Sequence, residues 1–274
     1  MFHSNRSRLR GSVFAGLLAL STAGCSSLSE VVDFGNWDVN PEETAAAEAA
    51  GIAPIMRVAH GARAQGDLQT AAALYQRAHE LAPEQVEPLV HLGQALSQSG
   101  AHEQAAEAFR RALVIDPNSA EALRGLGLAH LHGKQLDLAM ARFYDALAIK
   151  EDVRLYNAIG VANDMKGDHL AAQTHYYLGL DVDPQNVSIR SNLGLSLALA
   201  GFFGDSVRVL DAVARDPRAT PQHRQTIALA YGLAGDSDAA AAAVPGDLDE
   251  AAVARNLRYF EALRAKRRQG ASGS

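Results

Sequence analysis

The fold of this chain is decided by residues 86–117, which read VEPLVHLGQALSQSGAHEQAAEAFRRALVIDP. Gly100 divides this stretch into two helical segments, because a left-handed glycine commonly ends a helix. The small residue Gly93 allows two helix backbones to approach, and Phe109 fills the space between them. Pro117 ends the second segment, since the residue before a proline avoids the helical region. The stretch therefore predicts two antiparallel helices joined by a tight turn.

The same pattern recurs along the chain at a nearly constant interval. Pro83 and Pro117 are 34 residues apart, Pro184 and Pro217 are 33 apart, and the 67 residues from Pro117 to Pro184 equal two periods. Turn glycines recur with the same period at Gly66, Gly100 and Gly167. A helical bundle with chance spacing is the alternative, but the agreement of the proline period with the internal pattern favours a repeat array.

These residues resemble the tetratricopeptide repeat pattern. The resemblance implies an all-α superhelix, or α-solenoid, of five to six helix pairs over residues 41–246, closed by a C-terminal helix and tail in residues 247–274. Composition agrees, because alanine is abundant, aromatic residues are only 6% and few stretches alternate with the period of a strand. Residues 249–264 have an acidic start and a basic end, which suits the dipole of a closing helix.

Residues 1–24 predict a secretory signal peptide. Three arginines precede an apolar run at residues 11–20, which is too short to span a bilayer. Small residues then precede Cys25, the one cysteine of the chain, as in a bacterial lipobox, although Thr22 stands where leucine is usual. We expect cleavage before Cys25, lipidation of Cys25, and a tether over residues 25–40. An ordinary signal peptide with an incidental cysteine is the alternative.

Motifs that carry catalysis or metal binding are absent from the sequence. There is no His-Glu-x-x-His string, no phosphate-binding Gly-Lys-Ser/Thr motif and no nucleophile elbow. His130 and His132 are two residues apart on a predicted helix, so their rings point to different faces. Asp181 and Asp183 precede Pro184 at a helix end, which suits capping better than calcium binding. We therefore expect no enzymatic activity, no cofactor and no tightly bound metal.

Protein binding remains, through the groove that the first helices of stacked repeats form. We expect this groove to carry seven long polar side chains, namely Arg57, His60, Arg63, His91, Gln94, Arg124 and Asn157. On a chain of net charge −6, these donors predict a site for an extended or helical segment with acidic or carbonyl groups. The alternative is that exposed helix faces are polar regardless of binding. The same net charge gives no broad attraction to nucleic acid.

Three strings of sequence go beyond the generic repeat. They read YNAIGV at residues 156–161, SNLGLSLALAG at residues 191–201 and IALAYGLAGD at residues 227–236. Together with the motif before Cys25, they resemble the TadD-type lipoprotein of the tight-adherence (Flp pilus) secretion system. The resemblance covers the signal peptide and residues 50–264.

The resemblance implies a non-catalytic, lipid-anchored scaffold on the periplasmic face of the outer membrane. Its expected partners are the pilus secretin or accessory proteins of the secretin, whose assembly or placement it would support. Ser26 resembles the residue that permits sorting of a lipoprotein to the outer membrane. The alternative is another periplasmic repeat lipoprotein, an adaptor for outer-membrane protein assembly or for a peptidoglycan synthase.

Overall fold

A computed structural model describes residues 51–244 of the chain and, beyond them, Arg258 alone. These residues contain twelve helices and no strand, which confirms the all-α prediction. The helices are α1 (Ala53–Ala64), α2 (Leu68–Leu81), α3 (Glu87–Gln98), α4 (His102–Ile115), α5 (Ala120–His132), α6 (Leu136–Ile149), α7 (Val153–Lys166), α8 (His169–Val182), α9 (Val187–Ala200), α10 (Phe203–Ala214), α11 (Pro221–Ala234) and α12 (Ser237–Ala242). They form six consecutive pairs, of which the last has a second helix of only six residues.

Several predicted features lie outside the described residues. They are the signal peptide (1–24), Cys25 with its tether (25–40), the start of the predicted array and nearly all of the closing helix and tail (247–274). Within that last segment, Arg258 is helical and exposed. These features therefore stay predictions from the sequence.

The tight turn inside each pair follows the predicted glycine pattern. Gly66, Gly100 and Gly167 have φ angles of 83°, 85° and 82°, in the left-handed region that a glycine adopts without steric cost. In the third pair the equivalent position is occupied by Lys134, with φ of 58°. The turn geometry is thus set by the repeat, even where the residue does not favour it.

The ends of the second helices also follow the sequence. Helix α4 ends at Ile115, directly before Asp116 and a proline, and α8 ends at Val182 before Asp183 and a proline. The Asp183 carboxylate accepts a hydrogen bond from the backbone N–H of Gln185 at 3.2 Å, so it stabilises the turn after the helix. This is a local structural role.

Large side chains of the second helices pack against glycines of the first helices. Phe109 of α4 is 2% exposed, and a Cβ placed on Gly93 of α3 would lie 2.7 Å from its ring. A Cβ on Gly125 of α5, in the next pair, would lie closer still to the same ring. Phe143 of α6 has the equivalent relation to Gly127. Each such ring therefore requires glycine opposite it.

First helices of successive pairs also contact one another directly. Helix α3 packs on α5, α5 on α7, α7 on α9 and α9 on α11. Side chains from neighbouring first helices consequently share one continuous face. None of the helices in residues 51–244 combines the length and the apolar character needed to cross a membrane.

Candidate functional site

A cleft of about 550 Å³ lies on the face shared by the first helices. Helices α1, α3 and α5 provide most of its walls, with one residue each from α4 and α7. The lining residues are His60, Arg63, Ala64, Gln94, Ser97, Gln98, Phe109, Glu121, Arg124, Gly125, Leu128 and Arg154. The cleft thus spans the first three helix pairs, with polar side chains above a floor that includes the ring of Phe109.

Three arginines line the cleft, and two of them have partners. The Arg154 Nε donates to the two carboxylate oxygens of Asp152 at 2.9 and 3.0 Å. The Arg63 Nη1 donates to the Oε1 of Gln94 at 2.6 Å, which joins α1 to α3. These contacts hold the two guanidinium groups in place beside the third arginine.

The third arginine, Arg124, is the exception. Its side chain is half-buried, and it makes no hydrogen bond or ion pair with any residue in the described part of the chain. Burial lowers the pKa of Arg124, and the positive charge of Arg154 lowers it further, while Asp152 and Glu121 oppose this shift more weakly. Arginine stays protonated in proteins, so the group remains a cation with unfilled donor capacity.

A partly desolvated guanidinium without a partner favours binding an oxygen acceptor. Its planar fork donates well to a carboxylate or to a backbone carbonyl, and bonds to a charged donor are stronger than neutral ones. Glu121, on the exposed edge of the cleft, would repel an acid placed beside it. The acceptor site is therefore localised around Arg124 and Arg63.

A second polar cluster lies where His60 meets the cleft. The His60 Nδ1 and the Tyr75 hydroxyl are 2.7 Å apart, and the His60 and His91 rings meet edge to face with centroids 4.6 Å apart. The His91 Nδ1 lies 3.1 Å from the Gln94 Oε1. Burial lowers the pKa of His60, and the neighbouring His91 lowers it further, which favours the neutral imidazole. This cluster joins the first and second helix pairs.

The structure brings four of the seven predicted groove residues into the cleft: His60, Arg63, Gln94 and Arg124. His91 lies behind them, against His60. Arg57 and Asn157 are not among the residues that line the cleft. Arg57 is exposed, and Asn157 accepts a hydrogen bond from the Nδ2 of Asn192 at 2.9 Å.

Two cleft residues, Glu121 and Arg154, were not among the predicted groove residues. Both lie near the start of a first helix, one and two pairs after α3. Glu121 and Arg154 are each the second residue of their helix, so they occupy equivalent positions in the repeat. The repeat register therefore indicated both of them as candidates for the same face. The predicted set consists of polar donors, which leaves out Glu121, and it contains Asn157 from α7 in place of Arg154.

The histidines of α5 make separate contacts. The His132 ring stacks on the His102 ring with centroids 4.0 Å apart, whereas the His130 Nδ1 is 2.6 Å from the Gln135 Oε1. The two rings therefore have different partners, as their spacing predicted. They form no shared site.

A buried carboxylate in the fourth pair is the centre of a further cluster of hydrogen bonds. Asp164 is 6% exposed and accepts hydrogen bonds from the Tyr176 hydroxyl at 2.9 Å and the Ser196 hydroxyl at 2.7 Å. The His169 Nδ1 lies 2.8 Å from the same carboxylate. Ser196 is fully buried and bonds the carboxylate directly, so its hydroxyl has no imidazole base and no access to a substrate. The cluster fastens α7, α8 and α9 together.

Comparison with known protein families identifies the repeat. Residues 93–133 match the pattern described as "TPR repeat", and residues 116–154 match the one described as "Tetratricopeptide repeat". Residues 93–154 thus match tetratricopeptide repeats, and the described helix pairs have the architecture of a tetratricopeptide repeat solenoid. No curated protein sequence matches the chain.

Solved structures share this tetratricopeptide repeat fold. One titled as PilW, a widely conserved type IV pilus biogenesis factor, is 20% identical, with 70% of this chain and 90% of that chain covered and a TM-score of 0.64. The Pseudomonas aeruginosa pilF structure is 16% identical, with coverage of 72% and 90% and a TM-score of 0.61. A tetratricopeptide repeat protein from Parabacteroides merdae is 17% identical, with coverage of 77% and 84% and a TM-score of 0.63.

Proposed function

We propose that this chain is a non-catalytic scaffold that holds a segment of another protein in the cleft between α1, α3 and α5. The observation that carries the proposal is Arg124, a half-buried cation without a hydrogen-bonding partner among the described residues. A bound peptide would supply the missing acceptor through a carboxylate or a backbone carbonyl. Stacked repeats bind extended or helical segments on such continuous faces.

The surroundings of Arg124 support this choice of occupant. Gln94 is held by Arg63, so its amide has a fixed orientation beside the cleft. Fixed polar groups lose little conformational entropy on binding, and a preorganised surface of this kind binds more tightly for the same contacts. The cleft therefore favours a segment that presents acceptors at one point, next to Arg63 and Arg124.

We place this scaffold in the biogenesis of a Flp, or tight-adherence, pilus. Support comes from the strings at residues 156–161, 191–201 and 227–236, which resemble the TadD-type lipoprotein. In this proposal, Cys25 is lipidated and anchors the chain to the periplasmic face of the outer membrane. The partner is the pilus secretin or one of its accessory proteins, whose assembly or placement depends on the scaffold. Neighbouring genes for a secretin and a pilus ATPase would support the assignment.

A charge reversal in the cleft tests the proposal. Arg124→Glu replaces the acceptor-binding cation with a carboxylate, so binding of an acidic or carbonyl-rich segment should weaken. Arg57→Glu is the matched control, because it makes the same charge change on an exposed residue outside the cleft lining. Both variants should keep the helical circular dichroism of the parent.

The measurement is the amount of assembled secretin and of surface pilus in cells that carry each variant at equal protein level. We expect a clear loss for Arg124→Glu and parental assembly for Arg57→Glu. Parental assembly in both variants would reject the cleft as the binding site. Equal loss in both would show that overall charge matters and the cleft does not.

A further inference from the structure

Three side chains with metal-binding atoms converge where α1 meets α3. One ring nitrogen each from His60 and His91 and one carboxylate oxygen from Glu87 all lie within 4.8 Å of one another. The His91 Nε2 is 3.5 Å from the Glu87 Oε1. Two ligands bound to one tetrahedral Zn²⁺ at about 2.0–2.1 Å lie roughly 3.4 Å apart, so this pair already has the required separation.

Both histidines have a hydrogen-bonding partner at Nδ1. The Tyr75 hydroxyl lies 2.7 Å from the His60 Nδ1, and Tyr75 is fully buried. The Gln94 Oε1 lies 3.1 Å from the His91 Nδ1. Metal-binding histidines almost always have such an outer partner, because it fixes the orientation and tautomer of the ring.

The orientation of the Gln94 amide is determined by Arg63. A guanidinium only donates hydrogen bonds, so the atom 2.6 Å from the Arg63 Nη1 must be the amide oxygen. That oxygen can then only accept from the His91 Nδ1. The proton of a neutral His91 is therefore on Nδ1, which leaves the Nε2 lone pair free beside Glu87.

We propose that His60, Glu87 and His91 bind a divalent transition metal ion of the Zn²⁺ class, which links the first and second helix pairs. Two imidazoles and one carboxylate are a donor set that zinc accepts, with water completing the coordination. Calcium and magnesium prefer oxygen ligands, so the two nitrogens disfavour them. The site adjoins the cleft through His60, and Gln94 and Arg63 orient His91 from the cleft side. Arg124 takes no part in the metal site, so a substitution of Arg124 can separate metal binding from the proposed peptide binding.

The sequence alone led to the opposite expectation, that of no tightly bound metal. Glu87 and His91 are four residues apart on one helix and so share a face, but His60 belongs to the preceding pair. No contiguous motif contains all three ligands. Only the fold, which places the His60 ring against the His91 ring, brings them together.

Calorimetric titration of the purified full-length chain, stripped with a chelator, with ZnCl₂ tests the proposal. We expect a single saturable site in the parent. Glu87→Gln should weaken Zn²⁺ binding at least tenfold, and it is a mild change because Glu87 is exposed. Tyr75→Phe keeps the ring but removes the outer partner of His60, and loss of such a partner typically costs 10–100-fold in affinity.

The stacked pair His102 and His132 provides the matched control. These two rings are close together, but no carboxylate completes a three-ligand group with them among the described residues. His132→Gln should therefore leave Zn²⁺ binding unchanged, as should Arg124→Glu. Zn²⁺ should also raise the melting temperature of the parent and not that of Glu87→Gln.

Absence of saturable binding to the parent would overturn the proposal. Equal affinities in the parent, Glu87→Gln and Tyr75→Phe would also overturn it, since the ion would then bind elsewhere. Loss of binding in His132→Gln alone would assign the metal to the other histidine pair. Because Arg124→Glu separates the two activities, failure of the peptide-binding proposal would leave this result intact.

Discussion

Replacement of single glycines by alanine tests how the aromatic rings determine the helix spacing. Gly61 and Gly125 both lie inside first helices, in α1 and α5. A Cβ at Gly61 has no heavy atom within 4 Å, whereas a Cβ at Gly125 would overlap the ring of Phe109. The same substitution therefore meets open space at one position and a fully packed ring at the other.

The two expected magnitudes follow from these surroundings. In open space, alanine stabilises a helix interior over glycine by about 0.5–1 kcal/mol, so Gly61→Ala should stabilise the protein. At Gly125 the same gain is opposed by overpacking, which costs about 1–3 kcal/mol. The Phe109 ring cannot move freely, because it is buried and also packs closely against Gly93 of its own repeat. The difference between the two variants should therefore be about 1–3 kcal/mol.

Urea unfolding followed by circular dichroism measures both free energies. For an array of this length, 1 kcal/mol corresponds to a shift in melting temperature of about 2–4 °C, so thermal unfolding can check the sign. Gly125→Ala should lose its overpacking cost when it is combined with Phe109→Leu, which removes the ring. Equal stabilisation by Gly61→Ala and Gly125→Ala would refute the packing argument. If Gly125→Ala is equally destabilising in the Phe109→Leu background, the cause of the destabilisation would be the backbone and not the ring.

Three further predictions concern other parts of the chain. Cys25→Ser should leave a soluble or unprocessed species on membrane fractionation; a variant that is processed and fractionates like the parent would exclude lipidation. Asp164→Ala leaves the buried Tyr176 hydroxyl without its acceptor, while Ser196 keeps a bond to the His169 carbonyl, so the variant should destabilise the fold by about 1–3 kcal/mol in urea unfolding, and a change under about 1 kcal/mol would contradict the buried network. The hydrogen bond to Asp211 raises the pKa of Tyr231 from 10.0 to about 12, so its stabilisation is complete below pH 10 and is lost as the pH rises through about 12. The tyrosinate absorbance that Tyr231→Phe removes should therefore appear only near that upper pH; its appearance near pH 10 would exclude the bond.

The repeat architecture could be predicted from the sequence because its determinants are local. Turn glycines such as Gly100 and stops such as Pro117 act within a few residues, and most repeats contain them. Lys134 shows the strength of this register. It stands where the preceding repeat has Gly100, and it adopts the left-handed conformation although a lysine does so at a steric cost. Packing of the flanking helices therefore overrides the local preference.

The cleft could be predicted only in part, because its walls depend on how neighbouring helices are rotated. The register placed Arg63 and Arg124 on the first-helix face, and both line the cleft. It also placed Arg57 there, although that side chain lies outside the cleft lining. Arg57 is nearly two helical turns before Arg63, and no spacing rule states where along a helix the cleft ends.

The three metal-binding side chains could be predicted from the sequence even less well than the cleft. These residues come from two helices, and their convergence depends on the distance between the helix axes. A sequence indicates which residues share a face of one helix, as Glu87 and His91 do. It does not indicate which residue of a neighbouring helix faces them. Tyr75, which orients His60, comes from yet another helix.

The ring of Phe109 has a consequence for the order in which the chain acquires its structure. The ring packs against Gly93, which precedes it in the chain, and against Gly125, which follows it. During synthesis from the N-terminus, α4 is therefore complete before its contact with α5 exists, and the part of the Phe109 ring that α5 covers stays exposed until α5 emerges. Each newly made repeat therefore exposes an apolar surface at the C-terminal end of the array until the next repeat covers it. A nascent chain stalled between these two helices would be a better target for chaperones, and more prone to aggregate, than one stalled a few residues later.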